Sequence, residues 1–149
     1  MKIIVGHTNT DLDCIGSMVL ARQLFPDHRP VRSHLIHPAA RNAYHLFEMQ
    51  LAFLGAEELR GQAIEHVVVV DTRSRARIRE FLEMMPGYQG EVLVFDHHPA
   101  DSADIPGAVI HEQPCGSSTT LLGIDVMNRR LPVGAEDATL ALLGIYADT

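Results

Sequence analysis

The sequence predicts an α/β fold: a doubly wound, mainly parallel sheet with helices on both faces. Short runs rich in β-branched residues alternate with longer amphipathic segments along the whole chain. This alternation is typical of right-handed βαβ units, whose strands run parallel. The 149 residues, 46% of them hydrophobic and 21% charged, suit one domain with its own core.

The predicted strands are short apolar runs bounded by turn-forming or polar residues. They cover residues 2–6, 31–36, 66–70 and 91–95, with a further short strand near 107–111. Residues 66–70, "HVVVV", are almost all β-branched. That composition is typical of a central strand covered on both faces.

The predicted helices have apolar residues at helical spacing and recognisable ends. The first covers 14–25 and ends at Pro26, and the second covers 39–55 with Gly55 as its C-cap. Three more follow, at 73–85, 117–130 and 135–147.

Composition excludes several classes of protein. No apolar run approaches the ~20 residues that cross a bilayer, and the amino-terminal apolar run is too short for a signal peptide. Two cysteines, one of them in a charged loop, do not make a disulfide framework. We therefore expect a cytoplasmic protein. Its net charge of −7 argues against binding of duplex nucleic acid through this domain.

Acidic and histidine side chains follow three of the predicted strands, and one more acid follows the last helix. They are His7, Asp11 and Asp13, then Asp71, then Asp96, His97 and His98, and finally Asp148. Because the carboxyl ends of parallel strands share one edge, we expect these groups to meet there. Without a cation such a cluster would repel itself and raise carboxylate pKa values. Mixed Asp/His ligands suit Mn, Fe, Co or Zn, and enough ligands for two ions suggests two-metal phosphoryl chemistry.

Each member of this cluster also has an ordinary structural explanation. Asp13 could be only a helix N-cap, Asp71 a residue of a strand-end turn, and residues 96–98 a polar loop. Asp148 could simply be solvated. Each of these explanations is reasonable for its own residue. Together they are a poor explanation, because they would have to hold independently at three strand ends. We expect five other histidines, which show no partner spacing, to be surface residues: His28, His34, His37, His45 and His66.

Two further features leave alternatives open. Residues 115–120, "CGSSTT", open a helix whose free N–H groups could bind phosphate, although a Ser/Thr cap is the favoured interpretation. Arg73 could contact a substrate phosphate or be an exposed arginine at a helix start.

Four segments together resemble motifs I to IV of the DHH phosphoesterase superfamily: "HTNTDLD", "VVVVDTR", "FDHHP" and "LLGIYADT". The resemblance implies that His7 and Asp11 bind one Mn²⁺ and that Asp71 bridges to a second. It assigns Asp13, His97 and Asp148 to the second ion. It also implies that His98 contacts the substrate phosphate, while Asp96 orients His97 or its loop.

Within the superfamily, the chain is most similar to the DHH domain that precedes paired CBS domains and a poly(A) polymerase/CCA-adding nucleotidyltransferase domain. Cys14 stands where such proteins more often carry alanine. Superfamily enzymes normally have a second, carboxyl-terminal domain across a cleft. We therefore expect residues 1–149 to be the N-terminal domain of a longer protein, with the CBS and nucleotidyltransferase domains as partners.

The expected function is hydrolysis of a phosphoester in a small nucleotide or short oligonucleotide. The expected cofactors are two divalent ions, first Mn²⁺ and then Mg²⁺ or Co²⁺, with Asp71 and His98 as catalytic residues. Two alternatives remain open: a non-catalytic regulatory module that binds metal and nucleotide, and a phosphoanhydride hydrolase similar to family II pyrophosphatases.

Overall fold

The computed structural model describes residues 1–99 and 103–149, and one six-stranded sheet lies at its centre. All neighbouring strands pair in parallel. The α/β class predicted from the sequence is confirmed. The strands are β1 (Lys2–Val5), β2 (Arg29–Arg32), β3 (Leu54–Gly55), β4 (His66–Val70), β5 (Val92–Phe95) and β6 (Ala108–His111).

The strand order is β3-β2-β1-β4-β5-β6. The chain starts at β1, moves outward to β3, returns to the centre at β4 and then moves outward in the other direction. The carboxyl ends of β1 and β4 therefore flank the switch point of the sheet, where open α/β sheets bind ligands.

Helices cover both faces of the sheet, as the sequence predicted. In β4, Val68 and Val70 pack into one hydrophobic core, while Val67 and Val69 pack into the other. No helix among the described residues has the length and apolar character that a membrane span requires. The helices are α1 (Leu12–Leu24), α2 (Pro38–Leu46), α3 (Glu48–Leu51), α4 (Arg79–Met84), α5 (Ser118–Asn128) and α6 (Ala135–Asp148), with 3-10 turns at Ala56–Leu59 and Ala76–Ile78.

The long helix predicted over 39–55 was wrong in its second half. The helix is interrupted at Phe47, between α2 and α3. The residue with the left-handed conformation at the helix end is Ala52, with φ of 51°, and not Gly55. Leu54–Gly55 then pairs with β2 as an edge strand. Tertiary pairing with the sheet therefore overrides a helical pattern that looks continuous in the sequence.

Other boundaries shift by a few residues. Strand β2 starts at Arg29 and ends at Arg32, whereas the sequence predicted 31–36. Its pairing with β1 begins with Arg29 opposite Ile3. Helix α1 starts at Leu12, since Asp11 caps it. The segment 73–85 contains a 3-10 turn before α4 begins at Arg79.

Helices α1 and α6 approach closely through glycines. A Cβ atom on Gly144 would lie 2.8 Å from the backbone oxygen of Leu12, and one on Gly16 would lie 3.2 Å from the backbone oxygen of Leu140. Larger side chains would push the two helices apart. This packing brings the first turn of α1, which carries Asp13, beside the last turn of α6, which carries Asp148.

Candidate metal centre

Asp71 lies at the centre of the cluster that the sequence predicted. Its Oδ2 is 3.1 Å from Nε2 of His7, and its Oδ1 is 3.9 Å from Nε2 of His97. The residue directly follows β4 and has φ of 65°, a left-handed conformation that costs a non-glycine residue roughly 1 kcal/mol. The side chain is almost fully buried. Asp71 therefore stands between two ligand groups.

The first group comes from the loop after β1. Nε2 of His7 is 3.6 Å from Oδ1 of Asp11. That Asp11 oxygen also accepts a hydrogen bond from the backbone N–H of Cys14 at 2.9 Å, so Asp11 is the N-cap of α1. The capping role considered for Asp13 thus belongs to Asp11. One capping bond leaves most of the acceptor capacity of this carboxylate available to a cation.

The Cys14 thiol lies beside the first group. Its Sγ, a ring nitrogen of His7 and an oxygen of Asp71 all lie within 4.8 Å of one another. Burial raises the pKa of the thiol well above its usual range. A Cβ atom on Gly6 would lie 1.9 Å from this Sγ, so the cysteine fits here only because residue 6 is glycine.

The second group surrounds His97. Its Nε2 is 3.2 Å from Oδ2 of Asp148 and 3.6 Å from Oδ2 of Asp13. Ligand atoms of Asp13, Asp71, His97 and Asp148 all lie within 4.8 Å of one another. Four donors this close could hold one divalent cation.

Asp13 is fixed by the start of α5. Its Oδ2 accepts from the backbone N–H of Ser118 at 3.0 Å, and its Oδ1 accepts from the backbone N–H and the hydroxyl of Thr119 at 2.8 and 2.6 Å. Ser117 caps the same helix by accepting from the backbone N–H of Thr120 at 3.0 Å. The Ser/Thr cap predicted for 115–120 is therefore present. Two of the N–H groups considered for phosphate binding are instead bonded to Asp13.

Two buried polar atoms at the centre of the cluster have no hydrogen-bond partner among the described residues: Oδ1 of Asp71 and Nε2 of His97. Buried polar atoms nearly always have one. Nδ1 of His97 is 3.3 Å from the backbone oxygen of Cys115, which can only accept, so Nε2 is the ring nitrogen that faces the carboxylates. Imidazole and carboxylate donors in this arrangement fit a divalent transition metal.

The pKa values show how strongly the groups interact. Burial raises the pKa of Asp71 to about 8; the hydrogen bond from His7 opposes this shift, and repulsion from Asp13 and Asp11 adds to it. Burial and repulsion from Asp13 raise the pKa of Asp148 to about 6. Burial disfavours protonated His7, but hydrogen bonds to Asp11 and Asp71 outweigh it and raise the pKa of His7 to about 9. A cation would replace the protons that these groups otherwise retain.

Asp96 contacts His98, which lies in the loop that carries His97, and so bonds to this loop and not to the ring of His97 itself. Its Oδ1 is 2.5 Å from Nδ1 of His98, and its Oδ2 accepts from Nε of Arg73 at 2.7 Å. Arg73 also donates to Glu112 at 2.6 Å and to the backbone oxygen of Asp96 at 3.2 Å.

The exposed position considered for Arg73 was wrong, because its side chain is buried and holds Asp96. The sequence held one indication of such a role, since Arg73 stands two positions after Asp71, the acid that follows strand β4. Contact with a substrate phosphate stays a prediction.

The expectation that His28 and His66 lie on the surface without partners was also wrong. His28 is buried, and its Nε2 is 2.7 Å from Nδ1 of His66. Both lie at the amino ends of the strands, on the opposite edge of the sheet from the metal-binding candidates.

Comparison with known proteins identifies the family. The model of the DHH family N-terminal domain matches residues 2–145. The chain belongs to the DHH family. This family is metal-dependent, in agreement with the acidic and histidine groups that could hold a metal here.

Curated relatives of this DHH domain are much longer than the chain. An A-adding tRNA nucleotidyltransferase of Geobacter sulfurreducens is 37% identical over 150 residues, which cover 100% of this chain and 17% of the relative. One from Aquifex aeolicus is 26% identical over 157 residues, covering 99% of this chain and 17% of that protein. A membrane protein-large ribosomal subunit bL9 fusion protein of Aster yellows witches'-broom phytoplasma is 25% identical over 168 residues, covering 98% and 19%. The chain thus spans under a fifth of each relative.

A solved structure shows the same fold. An exopolyphosphatase-related protein from Bacteroides fragilis aligns with a TM-score of 0.62 and 18% identity. The alignment covers 99% of this chain and 46% of that chain.

Proposed function

We propose that this domain binds two divalent cations and uses them to hydrolyse a phosphoester of a small nucleotide or a short oligonucleotide. The observation that carries the proposal is Asp71, whose two carboxylate oxygens face different histidines, His7 and His97. Two catalytic ions about 3.5–4 Å apart need a ligand that can bridge them. When bound, such a pair supplies a hydroxide at neutral pH and offsets charge on the phosphoryl oxygens.

The ligands divide between the ions along the two groups described above. We propose Mn²⁺ first, with Mg²⁺ and Co²⁺ next, as the resemblance to DHH phosphoesterases implies. The mixed imidazole and carboxylate ligands are compatible with Mn²⁺ and Co²⁺. Asp71 is shared. His7 and Asp11 hold one ion, and Asp13, His97 and Asp148 hold the other.

His98 is assigned to the substrate. Its Nδ1 is bonded to Asp96, so Nε2 remains for a ligand, and its side chain is 40% exposed. In this proposal His98 acts as the imidazolium: Nδ1–H donates to Asp96, and Nε2–H donates to a phosphoryl oxygen as charge develops there. Arg73 fixes Asp96, and Asp96 in turn fixes the ring of His98.

The identity to the Geobacter sulfurreducens protein supports a place in a larger RNA-processing protein. We propose that CBS and nucleotidyltransferase domains are partners in the same chain and that it works in the cytoplasm. The net charge of −7 disfavours duplex nucleic acid as a ligand of this domain, whereas short substrates need few backbone contacts.

The test is hydrolysis of the dinucleotide pApA and, in parallel, of pyrophosphate, with saturating Mn²⁺. We expect wild-type protein to release AMP from pApA. We expect His98→Asn to lower the rate about 10²- to 10⁴-fold because it removes a transition-state contact. His45→Asn is the matched control, since His45 is an exposed residue of α2, and it should keep the wild-type rate.

Other outcomes identify the alternatives. Binding of pApA without any product would contradict hydrolysis and indicate a regulatory module. Release of phosphate from pyrophosphate alone would indicate a phosphoanhydride hydrolase.

A further inference from the structure

Arg77 lies at the edge of the metal-binding candidates without a carboxylate partner. Within residues 1–99 and 103–149 its guanidinium forms no ion pair, although two carboxylates, those of Asp11 and Asp71, lie 3.6 and 3.1 Å from Nε2 of His7. Its side-chain hydrogen bond joins Nη2 to Nδ1 of His7 at 2.9 Å. Arginine has five N–H donors, so most of those on this exposed side chain remain for an anion.

The backbone of Arg77 is fixed to the loop that carries His7. Its carbonyl accepts from the backbone N–H of Thr8 at 2.8 Å, and its own N–H donates to the carbonyl of Ser74 at 3.2 Å. The next residue, Ile78, is buried in the core. The root of the arginine side chain is therefore held at a fixed position relative to His7.

Arg77 shares Nδ1 of His7 with a second partner. The backbone oxygen of Thr8 also lies 2.9 Å from Nδ1 of His7. A protonated Nδ1 donates to Thr8, and only an unprotonated Nδ1 can accept from Arg77, so the two contacts exclude each other. His7 therefore does not hold the guanidinium when its Nδ1 is bonded to Thr8.

We propose that Arg77 binds a second phosphate of the ligand, linked to the phosphoryl group at the metal site. This inference rests on the metal site of the proposed function. The ligand class is a compound with at least two phosphates, a diphosphate or an oligonucleotide. A planar guanidinium can bond two oxygens of one phosphate and offsets the repulsion from the surrounding carboxylates.

The test compares imidodiphosphate, which has two linked phosphates and a bridge that resists hydrolysis, with orthophosphate. Calorimetry at one fixed Mn²⁺ concentration gives the affinity of each probe for wild type, Arg77→Gln and Arg129→Gln. Arg129 is the matched control because α5 starts at the site and Arg129 follows its other end, roughly 16 Å away at 1.5 Å per residue.

We expect Arg77→Gln to lose about 10- to 100-fold in imidodiphosphate affinity and less than about threefold in orthophosphate affinity. Arg129→Gln should change neither. Equal losses for both probes would overturn the inference, since Arg77 would then act only through His7. No loss for either probe would overturn it too. Wild type that takes up Mn²⁺ but does not prefer imidodiphosphate would overturn this inference alone, whereas wild type that takes up no Mn²⁺ would overturn the proposed function.

Discussion

Histidine and aspartate side chains lie at both the amino and the carboxyl edge of the sheet, but they differ in how many of their polar atoms have partners. At the amino edge, His28 is 2.7 Å from His66 and 2.9 Å from Asp27, and Asp27 also pairs with Lys2 at 3.0 Å. Nε2 of His66 lies 3.7 Å from Glu91. Every ring nitrogen there faces a polar group. At the carboxyl edge, Oδ1 of Asp71 and Nε2 of His97 are buried without partners among the described residues.

This difference separates a structural polar cluster from a ligand site. At the amino edge both ring nitrogens of His28 are hydrogen-bonded to other side chains, and these bonds stabilise the fold. At the carboxyl edge, Asp71 has a left-handed backbone, the carboxylates repel one another, and two buried atoms lack partners among the described residues. These features destabilise the metal-free folded protein, and a bound cation would relieve the repulsion. The following experiments test that comparison.

The largest expected effect is on metal binding by Asp71→Ala. Since Asp71 faces both ligand groups, we expect it to lose at least one of two Mn²⁺ ions and to bind any remaining ion at least about 100-fold more weakly. Asp27→Ala makes the same chemical change at the amino edge and should leave Mn²⁺ binding unchanged. Calorimetric titration measures both. Equal weakening in the two variants would show that the edges do not differ.

The second effect concerns Arg73, a buried residue at the carboxyl edge that is paired with Asp96 and Glu112. Arg73→Met leaves the fully buried Asp96 carboxylate without its cation, and we expect a loss of about 3–5 kcal/mol in unfolding free energy. Urea denaturation measures the loss. The Arg73→Met/Asp96→Asn double variant should recover much of it, and a double variant no more stable than Arg73→Met would contradict the pairing.

The third effect is the pH dependence of metal affinity. Asp71 and Asp148, with pKa values raised to about 8 and about 6, must lose protons before they bind a cation. We expect Mn²⁺ affinity to rise from pH 6 to pH 8, because Asp71 and also His7, whose pKa is raised to about 9, still hold protons in this range. The rise should be about tenfold per pH unit for each proton released. Titrations in buffers of different ionisation enthalpy count those protons. A flat affinity over this range would show that the carboxylates are not ligands.

Stability without metal should depend on pH with the opposite sign. The folded protein holds protons on Asp71 and Asp148 at pH values where the unfolded chain has released them. Its unfolding free energy should therefore fall as pH rises from about 4, the usual carboxyl pKa, towards 8. Added Mn²⁺ should remove this decline, because the cation replaces the protons.

The smallest effect is expected at the amino edge. His66→Ala removes the partner of His28, so we expect a loss of about 1 kcal/mol in unfolding free energy and unchanged Mn²⁺ stoichiometry. Thermal unfolding with and without Mn²⁺ gives both quantities. Loss of a bound ion in this variant would indicate that metal binds at the amino edge, which would contradict a metal site at the carboxyl edge.

The sequence predicted the parts of the site that depend on local pattern and topology. β-Branched runs located the strands, and parallel topology then placed Asp71 and His97 at one edge. Contacts between distant segments were not predictable in the same way. Asp13 meets Ser118 105 positions later, and no local pattern records that contact. The break near Ala52 likewise depends on an edge strand that forms only when the sheet exists.

A metal pair bridged by Asp71 is tested most directly by anomalous X-ray diffraction from a crystal grown with Mn²⁺. We expect two Mn²⁺ peaks at the carboxyl edge, about 3.5–4 Å apart, with the Asp71 carboxylate between them. Peaks only at the His28–His66 pair, or a single peak that Asp71 does not contact, would contradict a bridged pair.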